Sequence, residues 1–350
     1  MSELLELNGV SVEFVDTTVN KLLGQYPNLD SDRVMRVAGL VARIGASVIE
    51  LGDPNNELQT GLVSTVSSAF ETLTQIDCSQ KDPDSLSALE VPRLSIVSNL
   101  SQESIEIAFE AIERFRASEL EFVIPTKESE YSRVSIFGDE INFDRILEGP
   151  LEFAMSLLLD NEDIVFGTSF EDPMRPEVNS NFLRQMIRNL LERLGTNLIN
   201  FKDTSNQADP FLTYEFFMEV FNILHESSSS STIVSVEFGN DYGLALANSL
   251  YFIKAAIDFA RYNNTSLNTR VKTNVANLGN ALSGCDIISL SAAIDKYLLN
   301  QISAELVVIK PELIKEQIDR AVEVFRILEL DIPLRAPVIG YETRNNLRRS

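Results

Sequence analysis

The stretch with the clearest chemical pattern is Gly239-Asn-Asp-Tyr-Gly243, which lies between a run typical of a strand and a run typical of a helix. Its spacing is that of a nucleophile elbow, a strained turn between small residues, with Asp241 in place of the usual serine. An aspartate nucleophile of this kind needs a histidine base that follows it in the chain. The only histidine, His225, precedes it. We therefore interpret this stretch as a turn in which Asp241 caps the next helix.

Metal chemistry is limited by the residues available. Cys78, His225 and Cys285 have none of the pair spacings of a Cys/His site. Two acidic clusters could hold a divalent cation through oxygen ligands: Asp139, Glu140 and Asp144, and Asp160, Glu162 and Asp163. Neither cluster fits a calcium-loop pattern, and a chain with 52 acidic residues forms such clusters by composition alone. We interpret both as solvated surface and predict no metal or cofactor.

Three basic residues are the remaining candidates for ligand binding. Arg184 and Arg188 share one face of a predicted helix and, with Arg193, could bind phosphate. Glu192 lies one turn past Arg188, so surface salt bridges are the simpler interpretation. The sequence contains no phosphate-binding glycine loop, dinucleotide fingerprint or serine elbow. It therefore predicts no catalytic residue, and we interpret His225 as a structural residue at a helix end.

Charge is distributed unevenly along the 350 residues. Residues 1–170 hold 30 acidic and 11 basic side chains, a net charge of −19, which leaves −4 of the total −23 for residues 171–350. An acidic front half repels duplex nucleic acid and anionic membranes, so the pattern favours protein partners. The chain also lacks a secretory leader and a long apolar run, which predicts a cytoplasmic protein.

The elements that would position these residues are predicted to be mainly helical. Apolar residues at helical spacing predict the helices. Alternating residues predict a hairpin at Leu4–Phe14, a second hairpin formed by Glu119–Ile124 and Ser132–Phe137, and a strand at Thr232–Phe238. The predicted helices cover approximately residues 16–23, 31–52, 55–76, 101–115, 141–159, 180–194, 211–224, 241–261, 267–282, 290–302 and 311–325. The expected fold class is a set of helical, bundle-like lobes with two small hairpins or short strands.

Three parts are predicted along the chain. Residues 1–170 form an acidic lobe, residues 171–331 a helical core lobe, and residues 332–350 a basic extended arm. Arg335, Arg344, Arg348 and Arg349 of the arm are the candidate partner-binding residues. Such an arm could bind an acidic neighbour, including another copy of the chain.

The function predicted from these observations is a non-enzymatic assembly protein that acts through protein surfaces and self-association. The abundance of Ser and Asn, the absence of Trp and the C-terminal arm make the composition resemble that of viral or phage structural proteins. Two alternatives remain open. The first is an acidic inhibitory protein that occupies a nucleic-acid-binding site on a partner. The second is an enzyme that uses carboxylates and Mg²⁺ in a concave pocket.

Overall fold

The structure, a computed structural model, describes residues 5–7, 9–25, 31–54, 92–115, 117–125, 149, 152–158, 164–176, 178, 180–193, 195–227, 229, 231–276, 278, 284–298 and 311–330. Ten strands form one sheet. In chain order these are β1 (Leu5–Leu7), β2 (Val10–Asp16), β3 (Val48–Gly52), β4 (Arg93–Asn99), β5 (Glu119–Pro125), β6 (Val165–Glu171), β7 (Leu198–Asp203), β8 (Ile233–Phe238), β9 (Leu267–Asn274) and β10 (Cys285–Asp286).

The sheet closes on itself. Each strand from β2 to β9 pairs in parallel with the next, and β2 also pairs in parallel with β9, from Val10↔Leu267 to Asp16↔Thr273. The result is a closed barrel of eight parallel strands, the TIM-barrel architecture. The short β10 lies beside the carboxyl end of β9 and pairs with it in parallel, Cys285↔Thr273 and Asp286↔Asn274.

Helices connect successive strands and surround the barrel. In chain order they are α1 (Thr18–Gln25), α2 (Ser31–Ile44), α3 (Gln102–Phe115), α4 (Glu152–Leu158), α5 (Ser180–Arg193), α6 (Pro210–Glu226), α7 (Ala245–Asn263), α8 (Ile287–Ala293) with a π-helical extension (Ile294–Leu298), and α9 (Pro311–Ile327). None of the helices in the described part of the chain combines the length and apolarity that a membrane crossing requires.

The apolar core lies between the barrel wall and this helical layer. Phe201 of β7 points outward and meets Phe216 and Phe217 of α6, and Phe217 in turn contacts Phe252 of α7 at a ring-centroid distance of 4.6 Å. Because side chains alternate along a strand, Asn200 and Lys202 on either side of Phe201 point into the barrel. The lumen is therefore lined by polar residues, whereas the outer face of the wall is apolar.

The predicted mainly helical fold class is wrong. The charged residues that line the lumen obscured the strand pattern in the sequence. In β9, the lumen-facing residues include Arg270 and Lys272, so only every second position is apolar or small. Leu267, Val271 and Val275 then repeat at a spacing that also fits a helix, and this stretch was predicted as helical. Val48–Gly52, predicted as the end of a helix, is strand β3 and is entirely buried.

Several local predictions are confirmed. The N-terminal hairpin is present, with Leu5↔Val12 and Leu7↔Val10 paired antiparallel. Gly9 in its turn has a φ of +82°, a conformation that favours glycine. Asp209 caps α6, since its carboxylate accepts hydrogen bonds from the backbone N–H groups of Phe211 and Leu212 at 2.8 and 2.9 Å.

Other predictions fall partly or wholly outside the described residues. The second hairpin was placed at Glu119–Ile124 and Ser132–Phe137; the first segment is β5, which pairs in parallel with β4 and β6, and the second lies outside. The helix at 55–76 also lies outside. The three-part division at residues 170 and 331 stays a prediction, and the barrel takes strands from both of its first two segments.

Candidate active site

The carboxyl ends of the eight parallel strands meet at one mouth of the barrel, and three ionic side chains converge there. They are Lys21 from α1, Lys202 from the end of β7 and Glu237 from the end of β8. One oxygen of Glu237 lies 3.1 Å from the Lys21 ammonium, and the other lies 3.7 Å from the Lys202 ammonium. We call these three residues the mouth cluster. In TIM-barrel enzymes this end of the barrel carries the active site.

Glu237 and Lys202 of the mouth cluster hold each other in their charged forms. Burial alone would raise the pKa of Glu237, but the ammonium groups of Lys202, Lys21 and Lys272 outweigh burial and hold the pKa well below its ordinary value. The carboxylate of Glu237 in turn raises the pKa of Lys202. The mouth cluster therefore combines two ammonium groups with one carboxylate, and Lys202 is the ammonium group that is open to an anionic ligand.

Lys202 is the member best placed to bind such a ligand. Its 3.7 Å separation from Glu237 is longer than a hydrogen bond, and 31% of its side chain is exposed, compared with 18% for Lys21. An ammonium group has three N–H donors. Lys202 therefore presents hydrogen-bond donors to a molecule that enters the mouth.

Below the mouth, the lumen contains a second group of ion pairs centred on Lys272. The ammonium of Lys272 lies 2.8 Å from both Glu50 and Glu121. Asn20 donates to Glu50 at 2.6 Å, and Asn200 donates to Glu121 at 3.2 Å. Burial would lower the pKa of Lys272, but the Glu121 and Glu50 carboxylates raise it overall, so this lysine stays charged inside the barrel.

The amino-terminal end of the lumen is filled by a third group, in which Arg270 bridges two carboxylates. Arg270 lies 2.7 Å from both Glu13 and Glu119, and Arg93 lies 2.8 Å from Glu13 and 3.1 Å from Glu119. Burial would raise the pKa of Glu13, but Arg270 and Arg93 lower it overall. This group packs the lumen with paired charges and supports the two levels above it.

The loop that follows Lys202 is fixed by Asp172 at the end of β6. One carboxylate oxygen of Asp172 accepts hydrogen bonds from the backbone N–H groups of Thr204 and Ser205 at 2.6 and 2.8 Å. The other accepts from the Thr204 hydroxyl and from Arg175. The backbone on the carboxyl side of Lys202 is thus held by a buried carboxylate, which limits how far the strand end can move.

A pair of hydrogen bonds between Asn206 and Asp241 joins the loops after β7 and β8. The Asn206 amide accepts from the backbone N–H of Asp241 and donates to its carboxylate, both at 2.9 Å. Gly239 lies against this amide, and a Cβ at position 239 would stand 2.4 Å from Asn206 Oδ1. The predicted role of Asp241 as a helix cap is wrong, because α7 begins at Ala245 and Asp241 instead anchors the turn to Asn206.

The other residues nominated from the sequence lie away from the mouth. His225 is exposed in the last turn of α6, with its ring centroid 6.0 Å from that of Phe259. Arg184 pairs with Glu219 and Arg188 with Glu226, so surface salt bridging is confirmed, although the predicted partner Glu192 is not the one used. Cys285 is buried, and burial raises the pKa of its thiol to about 12.

The remaining nominated residues lie outside the described part of the chain. These are the partner-binding arginines Arg335, Arg344, Arg348 and Arg349, Cys78, and the acidic clusters Asp139, Glu140, Asp144, Asp160, Glu162 and Asp163. Within the described ranges, no group of three or more His, Cys, Asp or Glu residues could hold a metal ion.

Sequence reasoning missed the mouth cluster, although a signal for it exists. Lys202 and Glu237 each end a short apolar run in which the neighbouring positions alternate between small or polar and apolar, Asn200-Phe-Lys202 and Ser235-Val-Glu237. A charged residue at the carboxyl end of an alternating strand is typical of an α/β barrel site. The acidic surface predicted for the front half is also corrected in part, because Glu13, Glu50, Glu119 and Glu121 line the lumen.

The chain is similar in sequence to 2-isopropylmalate synthases. It is 28% identical over 230 residues to that of Methylacidiphilum infernorum, which covers 65% of this chain and 40% of the relative. It is 36% identical over 93 residues to that of Neisseria meningitidis serogroup A, which covers 27% of this chain and 17% of the relative. The chain thus spans less than half the length of the curated relatives it matches. No protein-family profile matches it.

Solved enzyme structures share the fold. HMG-CoA lyase from Pseudomonas aeruginosa is 14% identical, with a TM-score of 0.61 over 97% of each chain. The Acinetobacter baumannii HMG-CoA lyase, solved with coenzyme A and 3-methylmalate, is 15% identical, with a TM-score of 0.60 over 96% of this chain and 94% of that one. The carboxyl transferase domain of Rhizobium etli pyruvate carboxylase, solved with pyruvate, gives a TM-score of 0.56 at 14% identity over 95% and 51%.

These comparisons contradict the prediction of a non-enzymatic structural or viral component, because the relatives and the structural neighbours are enzymes. The all-helical description is overturned by the same structural likeness. The chain is a TIM barrel of the kind found in HMG-CoA lyases, with sequence similarity to 2-isopropylmalate synthases.

Proposed function

We propose that this protein is an enzyme that acts on a small organic acid at the carboxyl-end mouth of its barrel, and that Lys202 binds the acid's carboxylate. The observation that carries the proposal is the state of Lys202: protonated, partly exposed, and 3.7 Å from its carboxylate neighbour. Among the described residues this ammonium group has an ion pair with Glu237 but no anion at hydrogen-bond distance, and a substrate carboxylate would supply one.

The charge of the mouth cluster supports the same conclusion. Within the mouth cluster, the two ammonium groups of Lys21 and Lys202 share the single carboxylate of Glu237, although Glu50 and Glu171 also act on Lys202 from farther away. Lys21 is held by Glu237 at 3.1 Å, whereas Lys202 is held loosely. Lys202 is therefore the cation that can turn toward a ligand while Lys21 keeps Glu237 ionised and in place.

The names of the similar proteins point to the substrate class. The curated relatives are named for 2-isopropylmalate, and two of the structural neighbours were solved with 3-methylmalate and with pyruvate. Malates and pyruvate are small acids with an oxygen substituent beside a carboxylate. We accordingly assign this chain a synthase or lyase reaction on a 2-hydroxy or 2-oxo acid.

In this proposal Lys202 acts on the substrate, and the hydrogen bonds made by Asp172 and Asn206 hold the neighbouring loops in position. The Lys202 ammonium neutralises the substrate carboxylate, and it can also stabilise negative charge that develops on an adjacent oxygen during reaction. The Asp172 and Asn206 braces hold the ends of β7 and β8 so that this charge is already oriented when the substrate arrives.

The test is a binding measurement on the full chain. Titration calorimetry with a panel of malates, 2-oxo acids and unsubstituted carboxylates is expected to show binding of at least one 2-hydroxy or 2-oxo acid. Lys202→Met is expected to weaken that binding by about 10-fold to 100-fold, as the loss of a charge-assisted hydrogen bond predicts.

Lys254→Met is the matched control, because Lys254 is a partly exposed lysine on α7 that pairs with Asp258 at 2.8 Å, away from the mouth. It is expected to leave binding unchanged. The proposal is wrong if no acid of the panel binds, or if Lys202→Met and Lys254→Met bind the same acid equally well.

A further inference from the structure

Two fully buried polar atoms in the lumen have no hydrogen-bond partner among the described residues: Asn200 Oδ1 and Ser235 Oγ. They belong to neighbouring strands and are directly paired in register, Asn200↔Ser235. A buried polar atom that loses its hydrogen bond to water on folding costs about 1–3 kcal/mol. Because the two residues are paired in register, one partner between their side chains could serve both atoms.

Both side chains face the lumen. Phe201 points outward to α6, so Asn200 points inward, and Phe238 contacts Phe217 of the same helix, so Glu237 and Ser235 point inward as well. The Asn200 and Ser235 positions lie two residues before Lys202 and Glu237 on the same strands. They are therefore about 6–7 Å deeper than the strand positions of the mouth cluster.

The orientation of the Asn200 amide is fixed by its other contacts. Its NH₂ group donates to Ser169 Oγ at 2.8 Å and to the Glu121 carboxylate at 3.2 Å. The same Glu121 oxygen also accepts a hydrogen bond from the Lys272 ammonium, so the NH₂ end of the amide, as the donor, faces Glu121. The amide oxygen is thereby left on the other side as an acceptor that needs a donor.

Thr168 shows that these two atoms differ from an isolated unpaired hydroxyl. Its Oγ1 is also buried without a partner, but Thr168 is paired in register with Phe122 and Ile199, which are both apolar. A bound water needs at least two polar partners, and Thr168 offers one. Asn200 and Ser235 together offer the acceptor and the hydroxyl that one water requires.

We propose that Asn200 and Ser235 bind one ordered water molecule in the lumen, between the mouth cluster and the Lys272 ion pairs. The water donates to Asn200 Oδ1 and exchanges a hydrogen bond with Ser235 Oγ, two atoms that are not bonded directly to each other. The water lies at the inner end of the barrel mouth, two strand residues deeper than Lys202.

Removal of the Ser235 hydroxyl tests the site without any ligand, so the result is independent of the proposed enzymatic function. Ser235→Ala is expected to raise the unfolding equilibrium constant about fivefold to tenfold in urea titrations, because the water loses one of its anchors. Thr168→Val, the matched control, removes a hydroxyl that has no hydrogen-bond partner in the described part of the chain, and it is expected to leave that constant unchanged or lower it.

A crystal structure of the unliganded full chain gives the direct measurement. It is expected to show a solvent peak within hydrogen-bond distance of both Asn200 Oδ1 and Ser235 Oγ. The water site is refuted if no peak is present there, or if Ser235→Ala proves as harmless as Thr168→Val. If the solvent peak is present but the full chain binds no acid of the panel, the water site stands and only the enzymatic proposal is contradicted.

Discussion

Arg270 offers the strongest test of how the charged lumen is stabilised. Its guanidinium is 2% exposed and donates four hydrogen bonds, two to Glu13 at 2.7 and 3.1 Å and two to Glu119 at 2.7 and 3.1 Å. Arg270→Met keeps an apolar stem of similar length and removes the charge. Glu119, which is 1% exposed, would then keep only Arg93, at 3.1 Å. A buried carboxylate that loses its main partner destabilises a fold by about 3–5 kcal/mol.

Urea unfolding followed by far-ultraviolet circular dichroism is the appropriate assay, since the chain has no tryptophan. Arg184→Met is the matched control, because Arg184 forms an exposed pair with Glu219 in which the two side chains are 46% and 44% exposed. An exposed pair contributes about 0–1 kcal/mol. Arg270→Met should therefore lower the unfolding midpoint several times more than Arg184→Met does.

A double variant separates the loss of packing from the loss of charge. If the uncompensated charge on Glu119 causes the destabilisation, Glu119→Gln should restore part of the stability that Arg270→Met removes. Equal and small effects of Arg270→Met and Arg184→Met would refute the view that the lumen depends on paired charges. Simple additivity of Arg270→Met and Glu119→Gln would refute the assigned pairing.

Three further results are expected. Gly239→Ala should lower the free energy of unfolding in urea by about 1–3 kcal/mol, because its Cβ would stand 2.4 Å from Asn206 Oδ1. Gly243→Ala, at a φ of +75° with open space around it, should lower it by only about 1 kcal/mol. Equal losses would contradict the close contact between Gly239 and Asn206. Burial raises the pKa of Asp16 from 3.8 to about 7, so the folded state holds a proton that the unfolded state releases, and stability should fall as pH rises from about 4 to 7. Asp16→Asn should flatten that slope in unfolding midpoints measured across this pH range, and an unchanged slope would show that Asp16 is ionised throughout. His225→Ala should change stability by less than about 1 kcal/mol and leave acid binding intact, because the ring is exposed at the far end of α6; lost binding would place the histidine in the site.

The parts of the fold that could be predicted from the sequence are those in which local signals and tertiary packing agree. The cap at Asp209, the glycine turn of the first hairpin and the strand at Ile233–Phe238 each carry their own pattern within a few residues. The aromatic face of α6 was also evident, because Phe217 and Phe221 repeat at helical spacing and both are fully buried.

The barrel could not be predicted in this way, because its strands are stabilised by partners distant in sequence. Glu13 and Arg270 are 257 positions apart, and Lys272 and Glu121 are 151 apart. Considered singly, each is a charge in a short strand and argues for a surface position. Only closure of the sheet places the opposite charges together. The charged residues that line the lumen therefore made the strands look like surface segments in the sequence.

The site was missed for a related reason. A search for catalytic motifs favours histidine, cysteine and serine, and this chain has a single histidine, which lies on an outer helix. The mouth cluster uses lysine and glutamate, which are common on any surface. Their meaning comes from the strand ends that present them, and that topology is not visible in residue spacing.

The first hairpin has a consequence for how the barrel wall is sealed. β2 pairs with β3 only at Val15 and Asp16, and β1 covers the preceding stretch of β2 from Val10 to Val12. Deletion of Leu5–Leu7 would uncover backbone amides and carbonyls along a slot in an otherwise edgeless cylinder, and such a slot can recruit a strand from another molecule. A shortened chain is thus expected to form intermolecular β-structure and aggregate, with the uncovered edge of β2 at Val10–Val12 as the point of attachment.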